Sequence, residues 1–416
     1  MPWRRWQNGS TDCGQRGLPE ERMWTDLQIP AQKIKGYSGM MEDGFMNIMI
    51  INCFDTWEQR AEILYRCMTQ AGHKVCMLGS DFRHSVKMKR TDTKPDFKFF
   101  HARPYSRNLS LARVLSHVQL SRDIFSYVEK NIGSAGLLWV MAPPNCFIKA
   151  ASEVKKRHPG IRLIIDLMDL WPESIPSGIR RTLPADIWKS MRDNNLKHAD
   201  CIVTECSLYR KVLGTRFKNT RVETLYLARE DKGCDMHSAL PAQEAGLCFL
   251  GSVNYITDID TAGMVIKQIR KSRPVVFHII GGGENKDKLI HTAECAGAEV
   301  ADHGRIYDRD EIQKIFASCH YGLNLMKKSV CVGLTMKSID YFEFGLPVIN
   351  NVRGDTKAAV KKYGLGVNWD DTVTFDEEVF HANAECRKNS RLFFEKYLTE
   401  DVFKEKVMHI IELTKI

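Results

Sequence analysis

The feature that most constrains this chain is a regular alternation of short apolar runs with stretches of helical periodicity. From Met46 onward the runs are IMIINCF (48–54), HKVCMLG (73–79), FKFFHA (97–102), LLWVMAP (137–143), IRLIIDLMD (161–169), CIVTEC (201–206) and VETLYLA (222–228). Runs of this length, apolar on both faces, suit buried parallel strands. Helical periodicity fills the gaps, as at 57–71 and 109–130. Such alternation predicts an open, doubly wound α/β sheet. Residues 229–246, REDKGCDMHSALPAQEAG, have neither period and carry Gly, Pro and charges, so they read as a linker. A second series follows: LCFLGS (247–252), VVFHIIGGG (275–283), a strand near 298–303, YGLNLMK (321–327) and LPVINN (346–351). Segment 390–416 reads as amphipathic helix with no strand after it. The expected organisation is a first domain over 46–228, completed by part of 390–416, and a second over 247–389. Ligands bind at the carboxyl ends of strands in such sheets, which puts a cleft between the two domains.

Composition narrows the class. The 416 residues are 44% hydrophobic and 27% charged, which excludes a disordered or collagen-like chain. The longest apolar run, AGLLWVMAPP (135–144), is about half of what a spanning helix needs. Residues 1–45 hold three of the eight tryptophans, no periodic apolar pattern and no apolar core of a signal peptide. They read as a poorly ordered extension. The thirteen cysteines are spread singly, without CxxC pairs or zinc-ligand spacing. That pattern predicts reduced thiols in a cytoplasmic protein and no metal site. The net charge of +9 is uneven, since ten Lys/Arg face two acids between Arg83 and Arg122. Such a stretch attracts phosphates, anionic lipid or nucleic acid, or is a solvated surface. No nucleic-acid recognition motif accompanies it.

Five segments carry candidate chemistry. Gly281, Gly282, Gly283 and Glu284 follow a predicted strand, where glycines admit a ligand close to the backbone or simply make a tight turn. The run VGLTMKSIDY (332–341), continuing to FGLPVI (344–349), reads as a small-residue loop, a helix of about ten residues capped by Thr335, and a strand. Lys337 then falls in the first helical turn, where a cation is unfavourable unless an anion also binds there. Asp340 is three residues on, placed to accept ribose hydroxyls or to pair with Lys337. DLMDLWPES (166–174) ends another strand facing the cleft. Its carboxylates Asp169 and Glu173, beside the ring of Trp171, suit sugar hydroxyls or proton transfer, or serve as loop caps. HGRI (303–306) offers Arg305 and Ile306 to a phosphate and a base, unless Arg305 pairs with nearby acids. Asp55, Trp57 and Arg60, after the first strand, face the same cleft as acceptor contacts. His73, between a helix and a strand, reads as a packing residue.

The segment VGLTMKSIDYFEFGLPVINN resembles the donor-site segment of family-4 glycosyltransferases of the GT-B architecture. That segment has Lys, then an acid and Tyr three residues later, then Gly-x-Pro-Val. DLWPES is similar to a run that several members of bacterial exopolysaccharide and capsule assembly carry, and FLGSV (249–253) and GGGEN (281–285) match the strand-loop positions near the donor phosphates. The resemblance covers about 46–416. It implies two tandem Rossmann-like domains and a C-terminal helix that crosses back to the first. It also implies transfer of a sugar from a nucleotide diphosphate sugar, UDP-linked on family grounds, with retention and without metal or cofactor. Lys337 and Asp169 take catalytic positions. Gly251, Ser252, Gly281 to Glu284, Arg305, Ile306, Lys327, Gly333, Leu334, Thr335 and Asp340 take donor positions. The acceptor is a hydroxyl of a glycan or lipid-linked saccharide, reached from the inner face of a membrane through 83–122. Departures are specific: the earlier residue of the family's E-x7-E pair is Val332, and Ser252 follows Gly251 where a base is usual. Arg305, Lys327 and Lys337 are the basic residues available for the diphosphate. A nucleotide-sugar epimerase and a non-catalytic nucleotide-sugar-binding protein are the competing classes. The first needs a His–acid set in the cleft that the sequence does not offer.

Overall fold

The computed structural model describes residues 45–108, 110–175, 182–234, 240–241, 243–370, 372–375 and 377–415. The extension at 1–44 lies outside the described residues, as do 235–239 and 242 of the linker. The first sheet contains β1 (Asn47–Asn52), β2 (Lys74–Ser80), β5 (Phe97–Phe100), β6 (Leu137–Ala142), β7 (Arg162–Leu167), β8 (Cys201–Thr204) and β9 (Arg221–Thr224). Their order is β5-β2-β1-β6-β7-β8-β9, all parallel. A small antiparallel pair, β3 (Phe82–Arg83) and β4 (Met88–Lys89), interrupts the β2–β5 connection. The second sheet is also parallel, in the order β12-β11-β10-β13-β14-β15. It is made of β10 (Ala245–Leu250), β11 (Val275–Ile280), β12 (Glu299–Gly304), β13 (Tyr321–Asn324), β14 (Val348–Asn350) and β15 (Gly366–Asn368). Every expected strand forms, and β10 begins at Ala245, inside the segment read as linker.

Helices join the strands: α1 (Glu58–Gln70), α2 (Leu111–Lys130), α3 (Asn145–Arg157), α4 (Leu183–Leu196) and α5 (Ser207–Leu213) in the first domain. In the second they are α6 (Ile259–Ile269), α7 (Lys286–Cys295), α8 (Arg309–Ala317), α9 (Met336–Glu343) and α10 (Asp355–Tyr363), then α11 (Glu377–His381) and α12 (Asn383–Tyr397). The last, α13 (Glu400–Leu413), returns to the first domain. Many starts are fixed by side chains that accept a free backbone N–H. Ser110, Asp258, Asp308, Thr335 and Thr399 all do this, so the expected caps at Asp308 and Thr335 both form.

All six residues of β6 are buried, because helices cover both faces of the sheet. On one face α1 and α13 close a core of Ile50, Trp139, Ile63, Leu64, Phe403, Val407, Ile410 and Ile411. On the other, Leu120, Ile124, Phe147 and Ala151 of α2 and α3 pack on Leu138 and Val140. Segment 390–416 crosses back as expected, but breaks at Leu398–Thr399 into two helices. The backbone N–H of Arg229 donates to Leu398 O (2.9 Å), and Glu400 N–H donates to Arg229 O (3.0 Å). Among the described residues, no helix is long and apolar enough to cross a membrane, and the twelve cysteines there are free.

Arg60 does not face the cleft. It is fully buried, and its guanidinium meets both carboxylate oxygens of Asp166 at 2.9 Å. It also donates to Leu225 O (2.9 Å), while Trp139 Nε1 donates to Asp166 Oδ2 (3.1 Å). The pair is remote from solvent because it joins α1, β6, β7 and the segment after β9 through the core. Removing one partner leaves an uncompensated buried charge. Asp166→Ala should therefore cost about 3–5 kcal/mol, read from the urea unfolding midpoint.

Candidate active site

The first-domain wall of the cleft is assembled from loops at the carboxyl ends of β1 and β7. After β1 the Asn52 side chain brackets Phe54, donating to its carbonyl (2.9 Å) and accepting its N–H (3.1 Å). This tight turn brings Phe54, Thr56 and Trp57 into a cavity of about 540 Å³. Asp55 is committed elsewhere: it accepts from the backbone N–H of Ser85 (3.1 Å) and from its hydroxyl. After β7, Asp169 accepts from Leu170 N–H (2.9 Å) and Trp171 Nε1 (2.8 Å) and lines the same cavity. Burial raises its carboxyl above the ordinary range, and bonds from Ser174, Trp171 and Leu170 oppose that rise.

Glu173 does not reach the cavity. The buried Arg192 holds both of its oxygens (2.6 and 2.9 Å) and also donates to Trp171 O (2.9 Å). Asn145, at the start of α3, donates to Trp188 O (2.9 Å), and the Trp171 and Trp188 rings stack with centroids 6.2 Å apart. Glu173 is a brace for the Trp171 loop, since its partner is supplied by α4. Tyr255, from the second domain, completes the cavity wall, so the space spans the cleft.

The second domain contributes α9. Thr335 Oγ1 accepts from Ser338 N–H (3.1 Å) and donates to Asn324 Oδ1 (2.7 Å), anchoring the helix start to β13. Lys337 sits in the first turn. Its ammonium lies 3.8 Å from the centroid of the Phe249 ring, and burial lowers it to about 7. It makes no ion pair among the described residues. The pairing with Asp340 does not form, because Arg229 Nε takes Asp340 Oδ1 at 2.8 Å. A half-buried lysine in the first turn of a helix therefore has no counter-charge in contact with it among the described residues.

The glycine runs have a packing origin. Gly281 has φ +145°, and a Cβ there would lie 1.9 Å from Gly251 O. The loops after β10 and β11 are stitched backbone to backbone, with Gly251 N–H donating to Ile280 O and Val253 N–H to Gly282 O, both 2.8 Å. The turn at 303–306 braces them, since Gly304 O accepts from Gly281 N–H (2.5 Å). Within it His303 Nε2 lies 2.9 Å from His278 Nδ1. Ser252, Glu284, Arg305 and Lys327 are exposed around these loops, Ile306 is half-buried and Leu334 is buried. Arg305 lies beside Gly282 and makes no ion pair among the described residues. At Gly333 a Cβ would meet Asp355 Oδ2 at 2.3 Å. The buried Asp355 crosses to the first domain, accepting from Ser207 N–H (2.8 Å), Leu208 N–H (2.9 Å) and Tyr226 Oη (2.5 Å).

The structure adds residues that sequence reasoning missed. Arg113, His84, His117, Trp188 and Tyr255 line the cavity. Glu205, just after β8, is raised to about 8 by burial, with Asp169 and Asp166 adding to the shift and Arg60 opposing it. The basic stretch 83–122 is also not a uniform patch. Arg83, Lys89, Arg90, Lys94 and Arg122 all have carboxylate partners, whereas Arg103 and Arg107 stay exposed. Among the described residues, no three His, Cys, Asp or Glu side chains converge on a metal-sized site.

Two parallel, doubly wound domains face each other across a cleft and are re-crossed by the C-terminal helix. This is the GT-B fold. Solved structures with this arrangement include the lipopolysaccharide outer core galactosyltransferase WaaB, which is 14% identical with a TM-score of 0.60, covering 89% of this chain and 100% of that one. A glycosyltransferase from Rickettsia africae is 8% identical with a TM-score of 0.63, covering 90% and 100%. HepE of Anabaena, solved with UDP and glucose, is 11% identical with a TM-score of 0.57, covering 88% and 99%. No family model matches the chain. No curated protein matches it in sequence.

The Lys337 value in the folded chain lies below its unfolded value of about 10.4. The native state thus binds fewer protons between these values, and stability should rise with pH from about 7 to about 10. Lys337→Met should flatten that rise and melt no lower than the wild type near pH 7, as seen by urea midpoints and thermal unfolding across pH.

Proposed function

We propose that this chain is a glycosyltransferase that moves a sugar from a nucleoside diphosphate sugar, UDP-linked, to a hydroxyl of a glycan or lipid-linked saccharide. The observation that carries this reading is Lys337, a half-buried lysine in the first turn of α9 whose ammonium has no ion-pair partner among the described residues. A diphosphate there supplies the missing charge and meets the helix N-terminus as well. Solved structures of this fold with UDP or UDP-glucose, such as HepE, support the choice of nucleotide. Arg305 and Lys327 are exposed cations near the loops that would flank the diphosphate.

The chemistry follows from these placements. Negative charge grows on the leaving diphosphate as the glycosidic bond breaks, and fixed dipoles with Lys337 stabilise it. Asp169 orients the incoming acceptor hydroxyl, held by Trp171 Nε1 and Leu170 N–H. Retention, independence of metal and a role in bacterial surface polysaccharide assembly complete the proposal, and rest on the sequence resemblance. Asp340 serves the ribose if Arg229 yields it on donor binding. Peripheral contact with an anionic leaflet is supported by Arg103 and Arg107 next to the exposed Leu111, Leu115 and Val118 of α2.

UDP at 100 times its dissociation constant should stabilise the wild type by about 2.7 kcal/mol in thermal unfolding. Lys337→Met should lose most of that shift. Asp169→Asn should keep it while transfer from a UDP-sugar falls by about 10²- to 10⁴-fold. Failure of every nucleoside diphosphate to stabilise the wild type would overturn the reading. Flotation with liposomes of acidic lipid tests the leaflet contact.

A further inference from the structure

The aromatic cavity of the first domain contains a cation that no carboxylate contacts among the described residues, although Asp169 in the same wall acts on it through space. Arg113, in the first turn of α2, lies half-buried over three rings, 4.8 Å from Trp171, 5.3 Å from Phe54 and 5.9 Å from Tyr105. Its Nη1 donates to Asn108 O (2.8 Å), and its Nε is buried without an acceptor among the described residues. It makes no ion pair among those residues. Other buried arginines do: Arg60 has Asp166, Arg90 has Glu58, Arg192 has Glu173 and Arg391 has Asp231. A desolvated guanidinium without a carboxylate is costly, so each of those pairs is expected. Arg387, also buried without an ion pair among the described residues, is served by Cys319 O (2.8 Å), whereas Arg113 lines a cavity that a ligand can enter.

The surroundings deepen the deficit. Lys87 brings a second ammonium nearby, satisfied by Asn108 Oδ1 (2.7 Å) and His84 O (2.6 Å) and not by a carboxylate. His84 Nδ1 lies 2.7 Å from Tyr105 Oη, and burial together with Arg113 and Lys87 lowers the ring to about 4. His117 Nε2 is another buried atom without a partner among the described residues. Asp55 is engaged by Ser85, and Asp169 by Leu170 and Trp171. The walls are aromatic, with faces that suit sugar rings, and the planar fork of Arg113 matches a carboxylate or a phosphate.

Resting on the glycosyltransferase reading, we propose that the acceptor sugar bears an anionic group, carboxylate or phosphate, and that Arg113 binds it. Arg113 is then a specificity-determining residue of the acceptor site.

The test uses the full chain saturated with UDP and its intrinsic tryptophan fluorescence, since Trp57, Trp171 and Trp188 line the cavity. The probes are methyl glucoside, methyl glucuronide, glucose 1-phosphate and inorganic phosphate. At least one charged sugar should bind about 10-fold or more tighter than methyl glucoside, as a charge-assisted hydrogen bond implies. The tighter of the two charged sugars assigns carboxylate or phosphate. In Arg113→Gln the preference should fall below about 2-fold, while UDP raises the melting temperature as in the wild type. Arg113→Lys, which keeps the charge without the fork, should retain part of the preference and stands in if Arg113→Gln does not fold. Equal binding of neutral and charged sugars overturns the proposal. So does a preference that survives Arg113→Gln, inorganic phosphate that binds as tightly as glucose 1-phosphate, or no sugar binding by a chain that UDP stabilises. A wild type that no nucleoside diphosphate stabilises overturns the glycosyltransferase reading instead, and if another one stabilises it, that one replaces UDP in the test.

Discussion

The buried pair of Arg60 and Asp166 fixes the first domain at its centre. Its hydrogen bonds join the first helix, two adjacent strands of the sheet and the chain after β9. A pair of this kind is stable only when complete, since either charge alone in the interior is heavily penalised. Asp166 stands three residues before Asp169, so the same strand end that is locked inside the core presents its next carboxylate to the cavity. The arginine brace on Glu173 repeats the device one loop further out. Rigid support behind and a half-buried carboxylate in front is how a site keeps its geometry without a ligand.

The second domain is organised around a different tension. Thr335 ties the start of α9 to β13 through a saturated set of hydrogen bonds, and those bonds hold Lys337 where a helix least favours a cation. Local rules broken in an otherwise consistent structure are concentrated at functional sites. The two domains are also joined directly. Asp355 caps α5 from across the boundary and accepts from Tyr226, and the loop carrying Gly333 is pressed against that contact. The loop before α9 and the domain interface are therefore one piece of packing.

The alternation of apolar runs made nearly the whole architecture legible, because the central strands of both sheets, β1, β6, β10 and β13 among them, are almost wholly buried and largely apolar. Two additions escaped it. β15 spans only Gly366–Asn368, and β3 and β4 only two residues each, too short to show a period. Caps were readable because their chemistry is local, as at Thr335 and Asp308. Long-range pairing was not. Arg60 finds Asp166 106 residues away, and Arg229 takes Asp340 from 111 residues away, displacing the neighbour Lys337 that spacing alone favours. Arg113 was legible only as one charge among ten, since nothing local to SLARVL says that three rings will close over it.

The return of α13 sets an order of events during synthesis. Phe403, Val407, Ile410 and Ile411 supply part of the cover over α1, β1 and β6. Until residue 411 has left the ribosome, Ile63, Leu64 and their neighbours lack this part of their packing, while the second domain already has every strand it needs. The domain made first is thus the one finished last. A nascent chain therefore lacks the apolar face of α13 until its last residues are made, and transiently exposed apolar surface is what chaperones engage.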